Sequence, residues 1–159
     1  MFIDSELEMC DGQSAILTTA AGITKLGDHL DVRPNGTGDN TTVDLSIGEP
    51  LYLVIEVTTA FVGSGASFKF DLTTSTETAL TGGTTKNIFT TGTLSVSNYT
   101  VGKRFISTLP TEDYHRYLGI RGTATGANVT AGAFNAFITK DVSNWTGSAT
   151  RVPATDPAN

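Results

Sequence analysis

Apolar and polar residues alternate along several short segments of the chain, as they do in a β-strand with one face against a core. The segment 67–74 (SFKFDLTT) is the clearest, with phenylalanine and leucine on one face and lysine, aspartate and threonine on the other. We predict a half-buried strand there. The segment 51–57 (LYLVIEV) is almost wholly apolar and predicts a central strand. Further strands are predicted at 13–20, 23–32, 86–91, 93–97, 103–109, 117–124 and 131–139.

Clusters of glycine, serine, threonine and asparagine separate these segments, as in VGSGAS, LTGGTT, SNYTVG and ATGANV. Such clusters form turns, and no long helical pattern lies between the strands. About eight short strands joined by turns predict an all-β fold with a single antiparallel β-sandwich. A jelly roll is the favoured arrangement, because its two sheets cover most strand edges within one chain.

Three regions follow from this pattern. Residues 1–12 carry an apolar stripe and are predicted to form an N-terminal arm. Residues 13–141 are predicted to form the β-sandwich domain. Residues 142–159 are rich in proline and small polar residues, which predicts a C-terminal tail that is mobile or held by a partner.

The net charge and the placement of basic residues argue against two classes of binding partner. The net charge is −6 and the charged fraction is 16%, and no stretch has the clustered basic residues that bind nucleic acid or anionic membranes. We therefore expect no direct nucleic-acid partner and no membrane partner. The first residues are acidic where a signal peptide is basic, so no export signal is expected. Cys10 is the single cysteine and predicts neither a disulfide nor a zinc cluster.

The charges are unevenly distributed between the two halves. Residues 1–80 hold twelve acidic and three basic residues, whereas residues 81–159 hold four and seven. Two interpretations are open. Strands from the two halves could interleave and neutralise one another within the fold, or the halves could form complementary patches between subunits.

Groups suited to catalysis are sparse. His29 and His115 are the two histidines, and neither belongs to a recognisable nucleophile motif. The loop segment 28–39 offers oxygen ligands for Ca²⁺ but lacks the EF-hand spacing, and turn formation already explains its composition. We predict that the protein is not an enzyme and has no catalytic set, cofactor or metal site, with Ca²⁺ at 28–39 left as an open alternative.

Aromatic residues divide into core and interface candidates. Trp145 lies in a polar segment after the last predicted strand, so it either folds back over the sandwich or anchors in a partner. The same choice applies to Phe2 and Ile3 near the N-terminus. The phenylalanines on strand-like patterns are predicted to be in the core, namely Phe68, Phe70, Phe105, Phe134 and Phe137.

Several blocks in order along the chain resemble a family of tailed-bacteriophage capsid cement (decoration) proteins, of the kind found in Bordetella-type podoviruses. The resemblance covers about two-thirds of the chain. The blocks that carry it are Ile47–Val54, Thr59–Phe61, Gly102–Phe105, Leu109–Pro110, Arg116–Ile120, Thr130–Phe137, Lys140–Asp141 and Trp145.

The resemblance implies a jelly-roll cement protein that dimerises on the outside of a phage capsid and stabilises contacts between major capsid protein subunits. The expected partners are therefore the major capsid protein and a second copy of the chain. The expected location is the virion exterior, with the host cytoplasm during assembly. The interface residues expected on this basis are Phe2, Ile3, Leu7, His115, Arg116, Trp145, Arg151 and Val152, while the strands are expected to carry the dimer.

Two other function classes remain open from the sequence. A sugar- or receptor-binding β-sandwich of a phage fibre or a host would need exposed aromatic platforms. A small hydrolase would need His115 to act with one of many hydroxyl groups, and the abundance of serine and threonine makes such a pairing uninformative.

Overall fold

Nine β-strands make up most of the chain that the structure describes. The structure is a computed structural model, and it describes residues 7–18, 22–32, 50–82, 84–111 and 114–142. A 3-10 turn, Val96–Asn98, follows the sixth strand. In chain order the strands are Glu8–Ser14 (β1), Ile23–Asp31 (β2), Tyr52–Val62 (β3), Ser67–Ser75 (β4), Thr85–Thr90 (β5), Leu94–Ser95 (β6), Arg104–Thr108 (β7), Tyr117–Thr125 (β8) and Ala131–Thr139 (β9).

The strands form two antiparallel sheets. The first sheet has the order β1-β9-β3-β7, and the second has the order β2-β8-β4-β5, with β6 pairing with β4 beside β5. Strand β1 therefore pairs with β9, β2 with β8, β3 with β7 and β4 with β5. This nested pairing is that of a long hairpin of strands folded over into two sheets, which is a jelly roll. The predicted all-β sandwich is confirmed.

The two sheets enclose an aromatic core. Phe68, Phe70 and Phe134 are fully buried, and Tyr99 enters from the connection after β6. The Tyr99 ring stacks on Phe61 at a centroid distance of 4.9 Å, and its hydroxyl donates to the Phe68 carbonyl at 2.7 Å. Because a buried hydroxyl needs a partner, this hydrogen bond fixes the connection between β6 and β7 against the core.

Two predicted boundaries are wrong near the N-terminus. Strand β1 begins at Glu8, so residues 8–12 belong to the sandwich and not to the arm predicted over 1–12. The strand predicted over 13–20 contributes only its first two residues to β1. Register shifts interrupt β1 near Cys10, and Gly12 has a φ of 55°. These bulges break the alternation that would have revealed the strand.

Two further expectations also need correction. The segment 93–97 forms a strand only at Leu94–Ser95 before the 3-10 turn redirects the chain. Strand β4 is not half-buried, because Asp71, Thr73 and Ser75 on its outward face are all 0% exposed.

Candidate functional site

The outward face of the second sheet carries charged side chains in cross-strand rows. Lys25 on β2 lies opposite Arg121 on β8, which lies opposite Asp71 on β4. Lys69 Nζ is 3.0 Å from Asp71 Oδ2. The next row joins His29, Gly119 and Thr73. Charged residues in these positions are the expected consequence of alternation, since their neighbours face the core.

A strap, defined here as residues 76–82 between β4 and β5, covers the middle of this face. Leu80 is fully buried there, although it is not part of the core between the sheets. Its backbone has a φ of 58°, an unusual conformation for a bulky residue. Its carbonyl accepts a hydrogen bond of 2.9 Å from Arg121 Nη1. Arg121 thus holds the strap against the sheet.

The polar groups of the sheet near the strap are buried, and they share hydrogen bonds with the exposed Asn87 at its edge. Arg121 Nη2 donates to Asn87 Oδ1 at 2.8 Å, and Thr73 Oγ1 donates to the same oxygen at 3.0 Å. Burial lowers the pKa of Arg121, while the nearby Asp71 carboxylate raises it. Asp71 Oδ1, Arg121 Nε and Thr123 Oγ1 are buried without a hydrogen-bond partner. With Arg121 only 7% exposed and Asp71 and Thr73 fully buried, these three side chains are not accessible to a macromolecular partner.

A second charged group lies where β2 ends and β8 begins. Arg116 donates from Nε and Nη2 to the Asp31 carboxylate, with Nη2 2.9 Å from Oδ2, and its guanidinium lies 5.1 Å from the Tyr117 ring centre. The His29 ring meets the same tyrosine edge-on. Lys25 Nζ lies 2.9 Å from His29 Nδ1. Partial burial and the Lys25 charge lower the pKa of His29, against the nearby carboxylates.

The interface residues expected from the sequence fall into two groups. Leu7, His115 and Arg116 are described. Leu7 packs against the core, His115 is half-buried with Nδ1 enclosed, and Arg116 is engaged by Asp31. Their contact with a partner stays a prediction. The expected residues outside the described part of the chain are Phe2, Ile3, Trp145, Arg151 and Val152.

The first sheet has an apolar patch on its outward face. Val54 and Phe137 are cross-strand neighbours and are 0% and 1% exposed, and Ile106 lies on the other side of Val54. Phe137 is buried, as expected, but on the face of the sheet opposite to that of Phe134. Residues three apart on a strand point to opposite faces, so the spacing of the two rings already excludes a shared face.

The end of the sandwich formed by the connections after β1, β3, β6 and β8 exposes aliphatic side chains among many small polar residues, and it includes the exposed Lys103. We call this the loop end and define it as the described residues within 14–18, 22–24, 62–67, 96–103 and 125–131. The exposed large hydrophobic residues of the described chain all lie there, at Ile16, Ile23, Val62 and Val101. Our reasoning from the sequence missed these residues, although the scarcity of charge in successive turns is visible in the sequence.

Acidic and basic residues from the two halves of the chain pair with each other inside the fold. Glu56 on β3 accepts from Arg104 on β7, with Nη2 2.7 Å from Oε1, and Asp31 accepts from Arg116 as above. Both pairs join an acid of the first half to a base of the second. This interleaving favours the first of the two interpretations of the charge asymmetry, at least for these pairs.

Metal binding by the described residues would require a cluster of suitable ligands. No group of three or more histidine, cysteine, aspartate or glutamate side chains is placed there to hold an ion. The segment 28–39, considered for Ca²⁺, has only residues 28–32 within the described part, where they end β2. No helix in the described ranges is long and apolar enough to cross a membrane.

Comparison with known sequences supports the bacteriophage origin that the resemblance implied. The Bbp16 family, a family of Bordetella phage proteins, matches residues 9–138. No curated protein matches the chain. The family match runs from the second residue of β1 to the penultimate residue of β9 and so includes residues of every strand of both sheets. The chain belongs to the Bbp16 family.

Proposed function

We propose that this protein is a structural component of a phage particle, a cement protein that binds the outer surface of the capsid and stabilises contacts between major capsid protein subunits. The observation that carries the proposal is the match of the whole jelly roll to a Bordetella phage protein family. The resemblance of the blocks from Ile47 to Trp145 to phage cement proteins supplies the role.

The chemistry of the described residues supports a binding role. The three arginines in this part of the chain all hold groups of their own chain, namely Glu56, Asp31 and the Leu80 carbonyl. Their fixed geometry gives a rigid body on which contacts to a shell can be built. The net charge of −6 favours the exterior of a shell over its DNA-facing side, because DNA phosphates would repel it.

The proposed mechanism is the stabilisation of an assembled lattice by mass action. A protein that binds only neighbouring subunits in their assembled arrangement lowers the free energy of that arrangement. Two copies joined as a dimer would add their weak contacts, because the second contact becomes intramolecular once the first is made. The arm and the tail are the segments proposed to reach neighbouring subunits.

The test uses purified protein and capsids that lack it. We expect the full chain to sediment with expanded capsids and to raise the temperature at which they open. Absence of both effects would contradict the cement proposal. Because β1 begins at Glu8, the matched truncations remove residues 1–6 or 143–159 and leave every described strand intact.

The truncations separate the roles of the two ends. Loss of capsid binding, with an unchanged thermal unfolding midpoint, would support contacts through the deleted segment. Binding equal to that of the full chain would show that the deleted segment is dispensable and that the sandwich itself carries the contact. A glycan-binding screen addresses the alternative function. No aromatic side chain is exposed among the described residues, so nothing there favours a sugar platform.

A further inference from the structure

The two sheets of the sandwich meet closely along one side only. On that side the edge strands β1 and β2 are in contact, and the Cys10 thiol on β1 donates to the Leu26 carbonyl on β2 at 3.4 Å. The other side lies between β7 and the pair β5 and β6, at the far edges of the two sheets. No comparable contact joins β7 to β5 or β6 in the described chain. We call this the open side and define it as residues 85–95 and 103–108.

Half-buried apolar side chains line the open side. In the described chain, eight apolar residues pack against the core while remaining partly exposed, and four of these lie on the open side. They are Phe105 on β7, Ile88 and Phe89 on β5, and Leu94 on β6. A further segment of chain placed along this side would complete their burial, and burial of apolar surface is favourable.

The edge strands differ in the regularity of their pairing. Strands β1 and β2 carry extra residues relative to their partners within 8–13 and 26–29, and β5 carries one at Ile88. Strand β6 has only two residues. Strand β7 pairs with β3 residue by residue over Arg104–Thr108, without a register shift. Because bulges obstruct the addition of another strand, β7 is the one regular template among the described edges.

Backbone groups of β7 alternate between β3 and the free edge. The Leu109 N–H donates to the Leu51 carbonyl at 2.8 Å, so the odd-numbered residues of this segment direct their N–H and C=O groups to β3. Those of Ile106 and Thr108 therefore point away from β3, where no described strand pairs with them. An extended polypeptide is the ligand that matches such a row, because its own N–H and C=O groups have the same spacing.

Neighbouring side chains define the composition of the ligand segment. Ile106 continues the outward apolar row of Val54 and Phe137 to the edge of the sheet, so a strand added beside it meets an apolar surface. Lys103, just before β7, is exposed, and its Nζ lies 5.7 Å from the Phe105 ring centre. It forms no ion pair within the described chain. The matching segment is apolar with an acidic residue beside Lys103.

We propose that the open side accepts an extended segment of a neighbouring shell subunit, which pairs with β7 as an added strand. Main-chain hydrogen bonds supply affinity in this mode of binding, and the side chains supply specificity. A second copy of β7 is a poorer match, because its sequence KRFISTL at 103–109 offers Lys103 no acidic residue. The inference rests on the proposed function and names the surface and the kind of partner segment that carry the capsid contact.

The experiment compares two substitutions at each of two positions. Ile106→Pro and Thr108→Pro remove an N–H that points away from β3, a position where an edge strand tolerates proline. Ile106→Ala and Thr108→Ala are the matched controls, because they keep that N–H. In sedimentation with capsids that lack the protein, each proline variant should bind at least about tenfold more weakly than its alanine control. Circular dichroism melting checks that each variant folds.

Amide hydrogen exchange of the wild-type protein tests the same contact without a substitution, and it decides the matter if a proline variant fails to fold. Bound capsids should protect the amides of 104–108 and leave those of 23–31 on β2 unchanged. Unchanged exchange over 104–108, or equal capsid binding by the proline and alanine variants, would overturn the inference.

Two further outcomes identify the cause of a failure. Protection of 104–108 that rises with protein concentration in the absence of capsids would make a second copy the ligand and overturn the inference. If the wild-type protein did not bind capsids, the cement proposal and this inference would both be wrong. Wild-type binding with no effect at β7 would remove only this inference and leave the cement proposal standing.

Discussion

The Leu80 side chain fills the space directly above Gly119 on the outward face of the second sheet. A Cβ built on Gly119 would lie 2.7 Å from Leu80 Cδ1, closer than two such atoms can approach. The absence of a side chain on β8 therefore provides the recess that seats the strap. The left-handed backbone of Leu80 persists because burial of its side chain and the hydrogen bond from Arg121 to its carbonyl hold it in place.

The first prediction tests this pair with a double-mutant cycle. Leu80→Ala should lower the free energy of unfolding by about 2–4 kcal/mol through lost burial. Gly119→Ala should lower it by about 1–3 kcal/mol through overpacking. In the Leu80→Ala background the cost of Gly119→Ala should fall by at least about 1 kcal/mol. Urea unfolding gives the free energy of unfolding of the wild type, the two single variants and the double variant. An equal cost of Gly119→Ala in both backgrounds would contradict the packing of Leu80 over Gly119.

The second prediction compares the two arginine–carboxylate pairs. The side chains of Arg104 and Glu56 are 17% and 19% exposed, whereas those of Arg116 and Asp31 are 30% and 31% exposed. Arg104→Met should destabilise the fold by about 1–2 kcal/mol, because it leaves a largely buried carboxylate without its partner. Arg116→Met should cost about 0.5–1 kcal/mol. Urea unfolding at one pH measures the loss of stability in each variant. A larger loss in Arg116→Met than in Arg104→Met would argue that burial of the carboxylate does not determine the cost.

The third prediction concerns pH. Burial and Lys25 lower the pKa of His29 below its ordinary value of 6.5, so the unfolded chain binds a proton more readily than the folded chain. The stability contributed by neutral His29 is present above that value and is lost as the pH falls through it. We expect the unfolding temperature to fall between about pH 7.5 and pH 5.5, and His29→Gln to reduce that fall. If the unfolding temperatures of the wild type and of His29→Gln fell equally with pH, His29 would not be the cause of the pH dependence.

The fourth prediction concerns the cysteine. Burial raises the pKa of Cys10 to about 12, and its thiol donates to the Leu26 carbonyl at 3.4 Å. The thiolate is the reactive form, so a disulfide reagent at pH 8 should label the native protein at least about a hundredfold more slowly than the urea-unfolded protein. Complete labelling in urea is the control. Native labelling at the rate of a free thiol would show that β1 opens readily.

Hydropathy patterns located most strands because each has one face in the core. The alternation in 67–74 predicted β4 to within one residue, since Phe68, Phe70 and Leu72 are all buried. The same patterns failed where the backbone departs from regular pairing. Strand β1 was missed because its register shifts remove the period of two, and the 93–97 strand was cut short because the chain turns to bring Tyr99 into the core.

The outward surfaces were harder to predict, because they depend on contacts between distant segments. Asp71 and Thr73 alternate with core residues and so were expected in water, but both are fully buried on the outward face of the sheet. Nothing local marks Leu80 as the residue that seats the strap. The loop end has a local signal in its nearly uncharged turns. That the turns after β1, β3, β6 and β8 meet at one end depends on the order of the strands in the two sheets, which could not be predicted from the hydropathy pattern.

The pairing of β1 with β9 has a consequence for how the chain folds. Glu8 finds its partner at Phe137, so the first sheet needs a strand that is made last among the nine. Contacts between residues so far apart in sequence require large loops to close, and proteins rich in them fold slowly. Until β9 arrives, β1 and β3 expose unpaired edges that invite aggregation. We therefore expect the first sheet to be completed only after β9 has been synthesised, because β9 lies between β1 and β3.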